Sequence, residues 1–385
     1  MQLTPPIPLP DPIPLPGPLP LFQGGLLMTF VFHVLAMNMV LGGTPILVVT
    51  EGIGYWTGRS RYQCLAKTLS TVLPTAMAFA VVLGVGPLLF LQALYGQFFY
   101  TATILIGDLW IALVLAVMVA YAGLYAYKYW RDWLLLSSPW ALLAIGGASM
   151  GLLWGVAFVF VTMSVLAIQP HAWQAVWREG MDAVFTLPMV LPRYLHLVCA
   201  SLAGMGLLLV VYGFGMTRAG IRSTRRDDPA YGDWVIRQGV AWTLVGTLPQ
   251  VVVGPWFLFS LPPHVRAALV NGESWVSLLF FASLTLALVS LVSFNAALMV
   301  PRARWLVLAG MGSLSVTMGL MIWIRDQVRH LALAEYLETP QAVPQWDMIG
   351  LFAGVAVVMV GLVGYCLHQW VTFSKMATEK SPQIH

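Results

Sequence analysis

Apolar residues fill this chain in long stretches that are separated by short polar segments. A helix needs about 20 apolar residues to cross the hydrocarbon core of a bilayer, and these stretches reach that length. They are too long for strands and lack the alternation of apolar and polar positions that a membrane β-barrel requires. The pattern predicts an all-α polytopic membrane protein with nine transmembrane helices, at residues 24–48, 71–95, 103–127, 140–168, 191–216, 237–259, 275–300, 304–324 and 347–371.

We interpret the nine helices as two four-helix bundles plus one helix. The first apolar stretch has no cationic region before it and no small-residue cleavage site, so we expect it to be retained. Before it, proline alternates with leucine and isoleucine, which favours polyproline II; this segment is either a strap docked on the bundle or a loose extended leader. The expected segments are a Pro-rich outer-face segment at 1–22, transmembrane helices 1–4 at 23–168, an outer loop at 169–192, helices 5–8 at 193–325, an outer loop at 326–346, and helix 9 with a cytoplasmic tail at 347–385.

Composition supports the membrane class, since 59% of the 385 residues are hydrophobic and only 9% are charged. Soluble domains carry about 25% charged residues. Most Lys and Arg residues fall in the loops after odd-numbered helices and in the C-terminal tail, so the positive-inside rule predicts the N-terminus outside and the C-terminus inside. The net charge of +4 reflects this bias, and its spread over short loops predicts no nucleic-acid partner. The basic residues on the opposite side are Arg178, Arg193, Arg266, Arg325 and Arg329.

Two histidines lie where a polar ring is costly, His33 in the first predicted helix and His196 in the fifth. Counted from the outer ends of these helices, they lie ~13 and ~8 Å deep at 1.5 Å per residue. An ionisable residue inside a membrane needs a partner and indicates a functional site. Histidine is a common ligand of heme iron in helical bundles. Each ring could instead bond a neighbouring backbone carbonyl, but two at similar depth on different helices favour heme.

Three arginines near the outer helix ends are candidates for binding heme propionates. Arg193 lies one turn before His196 on the same helix face, and Arg325 and Arg329 are spaced i, i+4 at the end of helix 8. Ordinary anchoring at the membrane interface explains these arginines equally well. Met321 is a candidate second axial ligand, although methionines in such helices more often pack in the core.

The remaining histidines and the cysteines narrow the choice of cofactor. The 3 cysteines share no motif and CxxCH does not occur, which excludes a covalently attached heme c. We expect His171, His264 and His330 to be solvated, because they fall in outer loops or at helix ends. Carboxylates are nearly absent from the predicted spans, whereas proton-transfer sites at depth usually need Asp, Glu or His chains. A proton pump or an oxygen-reducing centre therefore finds little support.

Three stretches resemble subunit I of the cytochrome bd quinol oxidases. They are FHVLAMNMVLGG with EGIGYWTGRSRY in helix 1, LGVGPLLFLQALYGQFFYTATILIGD across helices 2 and 3, and LPRYLHLVCASLAGMGLLLVVYG in helix 5. The resemblance covers residues 24–217 and implies a multi-pass protein of the bacterial cytoplasmic (inner) membrane. It also implies that His33 is an axial ligand of a high-spin heme b and that His196 ligates the low-spin heme b.

The chain departs from this family where the oxidases have their oxygen chemistry. A glutamate of the heme d site corresponds to Gln92, and a second glutamate that serves the oxygen site corresponds to Val117. The large quinol loop between helices 6 and 7 is shortened to 261–273, and the acidic stretch at the end of helix 6 is replaced by Gly254-Pro255-Trp256. Glutamine can hydrogen-bond but cannot relay a proton by ionising. Gln92 therefore stays a cofactor-binding candidate without a role in oxygen reduction.

Together these observations predict a heme b-binding membrane subunit with two or more hemes near the outer face, and with quinone as a further candidate ligand. It would move electrons between the quinone pool and a c-type cytochrome or another redox subunit on the outer side. As an enzyme it would be the membrane subunit of a quinol-linked oxidoreductase rather than an oxygen reductase. Two alternatives stay open: a divergent bd-type quinol:oxygen terminal oxidase subunit I, and a heme-free transporter or assembly subunit.

Overall fold

The computed structural model describes residues 14–218, 230–300, 303–337 and 342–379. Helix dominates these ranges, which confirms the all-α class, and the β-structure found in them is an isolated bridge between Leu15 and Ala342. The helices are α1 (Leu19–Thr57), α2 (Ser60–Leu105), α3 (Gly107–Ser137), α4 (Pro139–Leu166), α5 (Trp173–Glu179), α6 (Met181–Thr186), α7 (Val190–Arg218), α8 (Tyr231–Thr247), α9 (Gln250–Ser260), α10 (Pro263–Val270), α11 (Trp275–Met299), α12 (Arg304–Leu333) and α13 (Trp346–Glu379).

In the described residues, 8 helical spans are long and apolar enough to cross a membrane, and α8 and α9 together form one of them. They lie at the positions predicted for the first eight transmembrane helices. The ninth predicted span falls on α13, whose described apolar part is Trp346–Val355. The architecture is therefore the expected helical membrane protein, while the side of the membrane that each terminus faces stays a prediction.

The helices extend well beyond the predicted spans. α1 has 39 residues and α2 has 46, so they are about 58 and 69 Å long, roughly twice the thickness of a bilayer core. The polar stretch between residues 48 and 71 is helical except at a tight reversal that includes Gly58, whose φ of 64° suits a residue without a Cβ. Hydropathy detects only the part of a helix that matches hydrocarbon, and this is why the predicted boundaries lie too far inward.

The first bundle consists of α1–α4, and the second consists of α7, α8–α9, α11 and α12. They meet where α1 crosses α7. The two backbones touch there, so that a Cβ added to Gly42 would collide with the carbonyl oxygen of Ser201. At the same crossing Asn38 packs on Gly204, where a Cβ would lie 2.8 Å from the Asn38 amide nitrogen. Small residues thus bring the two bundles into close contact, as is common between membrane helices.

Two spans are interrupted near one end of the molecule, the end at which α1 and α7 begin and α12 ends. We call this the N-terminal end; it is the end that the charge distribution predicts to be outer. α2 has non-helical dihedral angles at Tyr95 (φ −134°, ψ 29°), next to the end of α12. The sixth span breaks into α8 and α9 at Leu248 and Pro249, and this break brings Gln250 to the start of α7.

The N-terminal end is covered by short elements. The predicted outer loop at 169–192 contains α5 and α6, and α10 lies between α9 and α11. The described part of the Pro-rich segment docks on the residues before α13: Val343 donates its backbone N–H to Leu15 over 2.9 Å, and Gln345 donates to Pro16 over 3.0 Å. These contacts support docking over a loose leader for that part. Residues 1–13, which are most of the predicted Pro-rich segment, and residues 219–229, between the fifth and sixth predicted helices, lie outside the described residues.

Candidate functional site

His33 lies half-buried on α1 with its ring directed at α2. Its Nδ1 atom is 3.1 Å from the backbone carbonyl oxygen of Ala80. A carbonyl can only accept, so Nδ1 must carry a proton in this bond, and in the neutral ring Nε2 then keeps its lone pair. This is the tautomer in which histidine ligates metals, with the second nitrogen oriented by a hydrogen bond. The sequence left open that the His33 ring bonds a backbone carbonyl instead of a heme. This hydrogen bond is present, and it is compatible with a role of His33 as a heme ligand.

Gly84 makes room for the His33 ring. A Cβ added to Gly84 would lie 2.9 Å from Cε1 and 3.1 Å from Nδ1 of this ring. These distances are shorter than ordinary van der Waals contacts between heavy atoms, about 3.5 Å or more. The absence of a side chain at position 84 thus allows the imidazole to lie close enough to α2 to reach Ala80.

His196 lies on α7 beside the break between α8 and α9. Its Nδ1 atom is buried and has no hydrogen-bond partner in the structure. The Gln250 side chain donates an N–H to the His196 backbone oxygen over 2.9 Å, but the Gln250 amide oxygen is also buried without a partner. The Phe257 ring lies 5.8 Å from the imidazole centroid. Buried polar atoms are normally satisfied, so the two unpartnered atoms make the surroundings of His196 a candidate binding site.

The three arginines singled out from the sequence converge at the N-terminal end, and we call them the arginine cluster (Arg193, Arg325 and Arg329). Arg193 donates to the Ser164 hydroxyl over 2.8 Å, while its Nη1 atom is buried without a partner. The guanidinium carbon of Arg325 lies 4.2 Å from the centroid of the Phe30 ring, a cation–π geometry. The charges of Arg193 and Arg325 interact with each other and with that of Arg329.

Asp326 is the carboxylate that pairs with the cluster within the described residues. Arg329 donates to Asp326 over 2.8 Å, and both side chains are less than one-tenth exposed. Three guanidinium groups thus face one carboxylate, and the site carries surplus positive charge. An uncompensated buried charge is costly. The cluster is therefore suited to binding an anionic group.

The cluster also connects the two histidines. The charge of Arg325 acts on His33, and that of Arg193 acts on His196. The structure thus brings together five residues that the sequence singled out on three different helices. Two other candidates from the sequence, Met321 and Gln92, do not belong to this group. Met321 faces α11, where its sulfur lies 4.0 Å from the Ser283 hydroxyl. Gln92 is half-buried on α2 shortly before the kink at Tyr95, and the ligand roles of both residues stay predictions.

One expectation is corrected: His330 is not a freely solvated histidine. Its Nε2 atom is 3.0 Å from the Tyr95 hydroxyl and 3.4 Å from the Asp326 carboxylate, and its side chain is only 31% exposed. Arg329 in turn lies 5.1 Å from the centroid of the Tyr95 ring. The i, i+3, i+4 spacing of Asp326, Arg329 and His330 indicates a shared helix face. The sequence alone gives no sign that Tyr95 completes the group from α2.

A small cavity adjoins the arginine cluster between α2, α4 and α12. Its volume is about 20 Å³, which suits one water molecule and is far less than a porphyrin needs. The fit to heme therefore rests on the ligands and charges rather than on this cavity. Its lining residues are Leu91, Tyr95, Phe98, Phe99, Met163, Ser164, Ala167, Ile168, Arg329 and Leu333.

The donor set fits heme better than a bare metal ion. Among the described residues, no group of three or more His, Cys, Asp or Glu side chains could hold a metal ion. Heme iron receives its equatorial ligands from the porphyrin and needs only axial protein ligands such as histidine. His33 and His196 each offer one imidazole of the required kind, and the arginine cluster offers countercharge for propionates.

The fold and this site define a polytopic membrane protein of two helical bundles, with half-buried histidines and a group of arginines at one end. No protein-family model matches the chain, and no curated protein matches its sequence. The fold is similar to that of the bd oxidase from Geobacillus thermodenitrificans, with a TM-score of 0.72 over 93% of this chain and 99% of that chain. The two sequences are 14% identical, so this likeness establishes a bd-oxidase-like fold. It confirms the fold that the sequence resemblance implied.

Proposed function

We propose that this chain is the heme b-binding membrane subunit of a quinol-linked electron-transfer complex. It would move electrons between the quinone pool and a c-type cytochrome partner on the outer side of the bacterial cytoplasmic membrane. The observation that carries the proposal is the arginine cluster between two intramembrane histidines, with surplus positive charge and unsatisfied buried atoms on Arg193 and His196.

Each residue of the site has a role in this proposal. His33 and His196 would hold heme iron, and the Ala80 carbonyl would keep Nε2 of His33 unprotonated by accepting from Nδ1. Arg193 and Arg325 would neutralise heme propionates, because charge-assisted bonds from guanidinium to carboxylate are strong at partly buried sites. When bound, heme supplies one-electron redox chemistry that no side chain in the site offers.

The side chains at the positions where this chain differs from the bd oxidases favour electron transfer over oxygen reduction. Gln92 and Val117 cannot ionise, so neither can deliver a proton to bound oxygen. A divergent terminal oxidase nevertheless stays the second candidate, because the similarity in fold extends over 99% of a bd oxidase chain. Oxygen uptake with a quinol donor and a heme d absorption band would favour the oxidase. Reduction of an added c-type cytochrome without oxygen uptake would favour the proposal.

The decisive experiment is the visible spectrum of the purified protein. We expect a reduced b-type α-band and at least two hemes per chain in a pyridine hemochrome assay. His196→Ala should lose one heme selectively, because the other ligand, His33, lies on a different helix. His171→Ala is the matched control, since His171 is an exposed histidine at the same end, and it should keep all heme.

A protein without any b-type band would refute the proposal and leave the heme-free transporter or assembly subunit. Unchanged heme content in His196→Ala would show that the ligand lies elsewhere.

A further inference from the structure

A second group of titratable side chains lies beside the arginine cluster and has no part in the heme ligation proposed above. We call Tyr95, Asp326 and His330 the His330 network. The Nε2 atom of His330 lies 3.0 Å from the Tyr95 hydroxyl oxygen and 3.4 Å from Oδ2 of Asp326. Asp326 in turn accepts from Arg329 over 2.8 Å. A single ring nitrogen is thus within reach of both a hydroxyl donor and a carboxylate acceptor.

We propose that His330 is a proton-binding site whose occupancy is linked to the electron on the neighbouring heme, a proposal that rests on the function given above. The linked reaction takes one electron from the quinol-linked donor and one proton from the water at the N-terminal end. The proton forms an N–H bond on Nε2 of His330, and it returns to water when the electron leaves.

The geometry provides for both protonation states of the ring. With a lone pair on Nε2, the neutral imidazole accepts the hydroxyl hydrogen of Tyr95 over 3.0 Å. With a proton on Nε2, the imidazolium donates towards Asp326 and forms an ion pair at 3.4 Å. The Tyr95 hydroxyl also lies 3.3 Å from Nδ1 of the ring. The side chain of His330 is 31% exposed, so protons can exchange with water, whereas Asp326 is only 8% exposed.

The surroundings link this proton to charge at the heme site. Facing His330 from α2 is Tyr95, and from its own helix Asp326; the charges of Arg325 and Arg329 act on Asp326 from the same helix. The network therefore interacts with Arg325, one of the two arginines that would hold the propionates. Electrostatic interactions are strong where water is scarce, so an added electron favours a bound proton. Linkage works in both directions: raising the pH removes the proton and makes reduction less favourable.

The test is the dependence of the heme midpoint potential on pH. The wild-type protein, His330→Gln and His264→Gln are titrated between about pH 5 and 8, where histidine changes charge. His264→Gln is the control, because His264 is an exposed histidine at the same end. The wild-type potential should fall as the pH rises, with an upper limit of about 59 mV per pH unit for one proton per electron.

His330→Gln should reduce this slope at least twofold with unchanged heme content, and His264→Gln should keep it. An unchanged slope in His330→Gln with full heme content would overturn the proposal. If His330→Gln does not accumulate, Tyr95→Phe is the test variant. It removes the hydroxyl that donates to the neutral ring, so the pH range in which the heme midpoint potential falls should move to higher pH. A pH dependence equal to that of the wild-type protein would count against the network. Absence of heme from the wild-type protein is a separate result, since it refutes the proposed function itself.

Discussion

Replacing Gly84 with alanine puts a methyl group where the His33 ring lies. The new Cβ would be 2.9 Å from Cε1 and 3.1 Å from Nδ1, so the imidazole must retreat by about 0.5 Å to reach ordinary contact distance. Ala80 and Gly84 are one turn apart on α2, so an imidazole that moves away from Gly84 also moves away from Ala80. The hydrogen bond from Nδ1 to Ala80, now 3.1 Å, would lengthen to about 3.6 Å, where it no longer counts as a bond.

The expected effect on folding is small and that on heme binding is large. Loss of one hydrogen bond of this kind costs about 0.5–1.5 kcal/mol of stability. Loss of the group that orients a histidine ligand typically reduces affinity for the metal by about 10- to 100-fold. Gly84→Ala should therefore be produced in normal amounts but lose the heme bound by His33 during purification or on titration with a competing apoprotein.

The assay is heme content per chain at a series of competitor concentrations. Gly147→Ala on α4 is the control, because nothing lies within 4 Å of a Cβ at that position. The reasoning would be refuted if Gly84→Ala and Gly147→Ala retained heme equally well. It would also be refuted if Gly84→Ala lost only the heme that His196→Ala loses.

Two further predictions concern stability. Arg131 donates to both carboxylate oxygens of Glu51 over 2.6 and 2.7 Å with both side chains buried, so Glu51→Gln should lower the free energy of unfolding in detergent by about 3 kcal/mol. Lys67→Ala, which removes an exposed ion pair, should lower it by less than about 1 kcal/mol, and equal losses would contradict the role of burial. Gly42→Ala forces a Cβ against Ser201. This overpacking should lower the free energy of unfolding by about 1–3 kcal/mol and, with it, the unfolding midpoint of the whole protein. Gly147→Ala on α4 is the control, because nothing lies within 4 Å of a Cβ there. Equal unfolding midpoints for the two variants would refute the close crossing of α1 and α7.

Much of the fold was predictable because the membrane constrains it so strongly. Long apolar stretches can only be helices, and eight of them are found where hydropathy indicated them. The sequence singled out Arg193 and Arg325 separately, each from its depth on a single helix, but it did not indicate that the two converge. What hydropathy could not detect is where helix continues outside hydrocarbon, as it does on both sides of Gly58.

The missed features all depend on residues far apart in the chain. Arg131 lies beyond the predicted helix at 103–127, but it is buried within α3, where Glu51 of α1 neutralises it. His330 was expected to be solvated, but a kink at Tyr95 of α2 brings a hydroxyl to its ring. Pairings of this kind leave no periodic pattern in either segment. They become visible only when the helices are packed against one another.

The bridge between Leu15 and Ala342 has a consequence for the order in which the protein is made. A ribosome makes the segment before α1 ahead of helices α1–α12 and the segment before α13 after them, yet Val343 and Gln345 provide the backbone donors for Leu15 and Pro16. Contacts between such distant residues form late, because the chain between them must first be inserted and folded. Leu15, which is 1% exposed in the finished protein, therefore lacks this backbone partner until the residues before α13 have been made. The bridge can therefore form only after α12 has been made.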